Sequence, residues 1–98
     1  MTHFLADIAL PAILTDEFVA LIPEQRSLVD KLMLEGIILN YSLSLDRTQL
    51  WVVFVADSVD AVENIVHSFP IASYVTYTVH PLAFHNSSAL FLPKLSLN

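Results

Sequence analysis

Between Leu50 and Ala56 the chain runs Leu-Trp-Val-Val-Phe-Val-Ala, so neither alternate set of positions is polar. A strand of that composition asks for cover on both faces, because period-two patterning leaves no polar side for water. Its neighbours read differently. From Ile37 to Leu45, Leu39, Tyr41, Leu43 and Leu45 face one way while Asn40, Ser42 and Ser44 face the other, which predicts a strand with one polar face. Asp46-Arg47-Thr48 reads as the hairpin connection between these two strands. Upstream, Thr2 to Leu10 mixes apolar residues with His3 and Asp7 and stops at Pro11, whose missing N–H ends ladder pairing. Near the end, Tyr74 to Leu82 alternates again, Tyr74, Thr76, Thr78 and His80 against Val75, Tyr77 and Val79, until Pro81 disturbs it.

Helical spacing fills the gaps between the strands. Thr15 stands as an N-cap before Asp16 and Glu17, where the helix dipole favours carboxylates. Phe18, Leu21, Ile22, Leu28, Val29 and Leu32 then recur at three- and four-residue intervals as far as Glu35, and Gly36 takes the C′ position. Pro23 falls inside this pattern and should kink the helix or split it. A second helix opens at Asp57 or Ser58, carries Val59, Val62, Ile65, Val66 and Phe69 on one face, and closes at Pro70.

The order strand, helix, strand, strand, helix, strand predicts an α+β, ferredoxin-like βαββαβ fold with an antiparallel sheet and both helices on one face. The apolar third strand then needs something over its other face, and a second copy packing sheet to sheet would make a dimeric α+β barrel. Residues 1–98 form one domain, of which 83–98 is an apolar tail, broken by Pro93, that packs on a neighbouring subunit or back on its own.

Composition sharpens the expectation of self-association. Of the 98 residues, 55% are hydrophobic and 14% charged, against about 45–50% and 25% in ordinary soluble domains. That surplus of apolar surface points to a homodimer or higher homo-oligomer. A net charge of −6 with four Lys+Arg leaves no basic patch for nucleic acid or an anionic membrane. No apolar run reaches the roughly 18 residues of a membrane span, and Met1-Thr2-His3-Phe4 lacks the basic region of a signal peptide. With no cysteine there is neither disulfide framework nor thiol chemistry, and a cytoplasmic location is the default.

Taken in order, Leu10-Pro11, Leu28 and Leu32 before Glu35-Gly36, Val53-Phe54, Ser58-Val59, Pro70-Ile71, Tyr74, Val79, Leu82 and His85-x-Ser87-Ser88 resemble the muconolactone isomerase family of small dimeric α+β barrel proteins. The resemblance implies cofactor-free movement of a proton on a small unsaturated lactone acid, in higher oligomers with pockets between the sheet and neighbouring subunits. This chain departs from the pattern at the chemistry. Ser42-Leu43 stand where the family has Trp-Arg, Asp46-Arg47 replace a Gly-His, and the glutamate usual in the first helix falls on Gln25, with Glu24 beside it.

The candidate residues follow from both lines. Glu24 could serve as general base if it turned into a dry pocket that raised its pKa, or it is a solvated helix carboxylate. His85, matching the family's histidine, is an acid/base group or a structural hydrogen-bonding residue. Asn40 and Ser42 on the polar face of their strand would meet a ligand, a dimer partner or water between the sheets, with Trp51 and Tyr74 as aromatic wall and Gln25 as a further contact. No spacing suits a metal, and no phosphate loop or cofactor motif is present. Two readings result: a protein that binds a small, fairly apolar organic molecule in an inter-sheet or inter-subunit pocket, or an active cofactor-free isomerase or lyase acting through Glu24 or His85.

Overall fold

In the computed structural model the residues described are 2–83, 85 and 86. They form β1 (Thr2–Ala9), α1 (Asp16–Ala20), α2 (Ile22–Leu34), β2 (Ile38–Leu43), β3 (Gln49–Ala56), α3 (Val59–His67) and β4 (Thr76–Leu82), with a 3-10 turn at Ala72–Tyr74 before the last strand. The sheet order is β2-β3-β1-β4 and every pairing is antiparallel. This is the ferredoxin-like α+β arrangement.

The helices all lie on one face. In register, Phe4, Ala6 and Ile8 of β1 oppose Phe54, Val52 and Leu50 of β3, and all six are buried with Phe18, Val29, Leu32, Val62 and Val66 of the helices. Pro23 splits the first helix as its position requires. Leu21, still helical at φ −85° and ψ −12°, ends α1 and begins α2, so Pro23 sits in the first turn, where no N–H is needed. Thr15 caps α1 by accepting from the Phe18 N–H at 3.2 Å, and Ser58 rather than Asp57 caps α3, accepting from Ala61 at 3.1 Å. Gly36, at φ +75°, turns the chain out of α2.

Two details depart from strict alternation. A register shift between Ile38 and Asn40 makes Leu39 a bulge. It lets Ile38, 1% exposed, face the core beside Phe54 while Tyr41 and Leu43 also face the helices and Asn40 and Ser42 face away. Tyr74, read as the start of the last strand, belongs instead to the 3-10 turn. It packs edge-on against Phe18, ring centroids 5.6 Å apart, joining the core beneath the helices.

Among the described residues no helix covers the opposite face of the sheet. His3, Leu5 and Asp7 of β1, Trp51, Val53 and Val55 of β3, Asn40 and Ser42 of β2, and Thr78 and His80 of β4 share it by register. Val53 is nonetheless 7% exposed, whereas Trp51 is 39% exposed. Of the tail, only residues 83, 85 and 86 are described; the packing of its remainder lies outside the described residues.

Candidate functional site

A stripe at three- and four-residue spacing on α2 places Ile22, Gln25, Arg26, Val29 and Met33 along one side of the helix. This stripe does not close onto the sheet. Between it, α1 and the helix-side face of β2 and β3 lies a cleft of about 720 Å³ that opens to solvent, floored by Val29 and Leu50 and walled by Phe18 and Leu43. The volume is in the usual range for small-molecule sites, roughly 300–1,000 Å³.

Gln25 is the polar centre of this cleft. It is 2% exposed, and among the described residues neither its amide nitrogen nor its amide oxygen has a hydrogen-bond partner. Buried amides are nearly always paired, so an unpaired one facing a cavity is a departure that needs a reason. Tyr41 stands next to it. Burial raises its phenol pKa above the ordinary 10.0, opposed by the nearby Gln25 side chain and the Arg26 charge. The Gln25 amide therefore lies within hydrogen-bonding reach of the phenol and favours its charged form, although the two do not complete a well-formed bond. Arg26, Asp30 and Arg47 add charge to the lining.

The hairpin that carries Arg47 is built by Asp46. Its Oδ1 accepts from Ser44 Oγ at 2.8 Å, from the Thr48 N–H at 3.1 Å and from Thr48 Oγ1 at 2.7 Å. The Thr48 hydroxyl, then Ser44 and the Thr48 backbone, hold the carboxyl below the usual aspartate value. Arg47 consequently takes a left-handed φ of +64°, which only a well-bonded turn holds for such a side chain.

The sequence-derived candidates divide between the two faces of the sheet. Gln25 lines the cleft, whereas Glu24, one position on, is exposed and outside the lining. Asn40 and His85 meet on the helix-free face, His85 Nε2 lying 2.7 Å from Asn40 Oδ1. An amide oxygen only accepts, so Nε2 is the donor in this contact. His3 lies nearby, its ring tilted by 44° and its centroid 6.0 Å from that of His85. Ser42 and Trp51 oppose one another farther along that face. Tyr74 does not join Trp51 in an aromatic wall, because the 3-10 turn carries it to the helix side. Glu24 and His85 likewise share no site: one is exposed on the helix layer and the other lies across the sheet.

Three participants escaped the sequence reading. Tyr41 carried a signal, a phenol placed among leucines on the core side of β2; Arg26 and Arg47 carried none, since exposed arginines at a helix start and a hairpin are ordinary. Asp7 is a fourth surprise: its Oδ1 is buried without a partner among the described residues, on the helix-free face, in a shallow polar hollow of about 200 Å³ with Thr76 and Thr78. Among the described residues no three His, Asp or Glu gather as metal ligands, and no helix is long and apolar enough to cross a membrane.

Compared with known families, residues 3–88 match the model of the family described as muconolactone delta-isomerase. No curated protein matches the chain.

Proposed function

Because the chain belongs to the muconolactone delta-isomerase family, we propose that it is a binding member of that family, holding a small, fairly apolar organic molecule in the α2 cleft without moving a proton. The observation that carries this reading is Gln25, buried in the cleft with both amide atoms unpaired. By resemblance it occupies the place of a glutamate, and an amide neither takes nor gives a proton in the working pH range. The other acid/base groups do not replace it: Glu24 faces solvent, Asp30 reaches the cleft only from an exposed position beside Arg26, and His85 lies beyond the sheet, bonded to Asn40. The apolar walls supply affinity and the Gln25–Tyr41 pair supplies orientation.

Binding is tested by titrating isotope-labelled protein with muconolactone and with neutral aryl lactones, following methyl and amide shifts. Perturbations centred on Val29, Leu50 and Tyr41 support the reading. Perturbations confined to Ser42, Trp51 and Asn40 would move the ligand to the helix-free face and sink it.

Self-association belongs to the same proposal. The helix-free face presents Trp51 at 39% exposure together with the half-buried Val55 and Leu5, a surface of the kind that interfaces cover. A second copy packed on it completes the cover that β3 lacks. Light scattering should give at least a dimer, and Trp51→Glu should shift it toward monomer; a wild-type monomer at high concentration would remove this part.

A further inference from the structure

The unpaired amide also says what kind of polar group the ligand carries, an inference that rests on the cleft being the binding site. Gln25 offers an N–H donor and a C=O acceptor side by side at the end of one planar group, and both are buried and unpaired. A ligand that satisfies only one of them leaves the other dehydrated and alone, which is unfavourable. Full satisfaction needs an acceptor and a donor adjacent on one rigid edge. From the pairing of Gln25 we infer that the cleft is built for a neutral cyclic amide, a lactam with a free N–H and an apolar body.

In a lactam the ring locks N–H and C=O on the same edge, so the lactam N–H reaches the Gln25 oxygen while the Gln25 N–H reaches the lactam carbonyl. The second lone pair of that carbonyl remains for a donor, and Tyr41 Oη stands beside Gln25; burial holds the phenol protonated, so its hydroxyl can give that bond. A lactone of the same skeleton keeps the carbonyl but has no N–H, and the Gln25 oxygen stays unpaired. A carboxylate has no donor either. It would be drawn instead to Arg26 and Arg47 on the lining, where Asp30 offsets part of their charge. The apolar walls, Phe18, Val29, Leu43 and Leu50, suit an aryl or alkyl substituent on the ring.

The test compares four probes of one size by isothermal titration: γ-phenyl-γ-lactam, its N-methyl derivative, γ-phenyl-γ-lactone and phenylbutyrate. The lactam should bind about tenfold more tightly than the other three, which corresponds to about 1.4 kcal/mol. Gln25→Leu, or Gln25→Met if the leucine packs badly, should bind lactam and lactone alike. Equal binding of lactam and lactone to the wild type, or a preference for phenylbutyrate, overturns the lactam inference and leaves the cleft as a binding site. Failure of all four to bind overturns both.

Discussion

Replacing Gln25 by leucine should make the protein more stable, although it removes a buried side chain from the middle of α2. Leucine has nearly the volume of glutamine, so the cavity and overpacking costs are small. The amide it removes is 2% exposed and makes no hydrogen bond, and dehydrating such a group without a partner costs about 1–3 kcal/mol on mutational scales. The nearby Tyr41 phenol offsets part of that cost, so a net gain of about 1–2 kcal/mol is expected. In a domain of this size each kcal/mol moves the melting temperature by about 4–8 °C. Thermal melts followed by circular dichroism, with urea titrations to confirm an unchanged m-value, read the effect directly on ligand-free protein. A leucine variant less stable than wild type by 1 kcal/mol or more would refute the reasoning, since the amide would then be paired. A gain in stability at the expense of a binding site is the usual exchange where function keeps a polar group unsatisfied.

Other consequences are reachable with the same methods. Asp46 has its pKa lowered by the hairpin hydroxyls; the unfolded state therefore binds the proton more readily, and the carboxylate's contribution is present above the ordinary 3.8 and lost as pH falls through the lower folded value. Acid titration followed at the Thr48 amide should show the hairpin loosening in that window, and Asp46→Ala should abolish the transition. Gly36→Ala meets nothing within 4 Å of the added methyl, so its cost should be the left-handed backbone alone, about 1 kcal/mol by denaturant midpoint; a loss several times larger would mean a hidden contact. Val52→Asp and Val53→Asp, on opposite faces of β3 and 0% and 7% exposed, should each cost several kcal/mol and leave little folded protein by circular dichroism. If Val53→Asp folds normally, the helix-free face admits water there.

The fold was legible because its signals are local and repeated. Alternation in β2 and β4, the Thr15 cap, a cap at Asp57 or Ser58, a proline that kinks or splits the first helix and the glycine after Glu35 each act within a few residues, so period and punctuation recover them, leaving the structure to choose Ser58 and the split. Leu39 was not recoverable, because a bulge is set by which residues β3 offers as partners, not by β2 itself. Tyr74 was lost to the same limitation: a tyrosine in an alternating run looks like strand until Phe18 claims it for the core. The cleft was less legible. Gln25 stood out by the resemblance, and Asn40 and His85 were singled out separately, one as a strand contact and the other as an acid/base group; that these last two meet, on the face of the sheet opposite Gln25, depends on register across strands far apart in the chain. Glu24 looked chemically richer than Gln25, and only the hundred-degree step of the helix decides which of two adjacent residues enters the cleft.

The central claim, a cleft that binds without moving a proton, meets its most direct test in a spectrophotometric assay of the purified protein with muconolactone, run beside Gln25→Glu, Glu24→Ala and His85→Ala. The wild type should leave the lactone unchanged over the uncatalysed background, the two alanine variants should do the same, and any turnover should arise only in Gln25→Glu, which puts a carboxylate at the buried centre of the cleft. Wild-type turnover that Glu24→Ala or His85→Ala abolishes would contradict the claim and make the protein an isomerase.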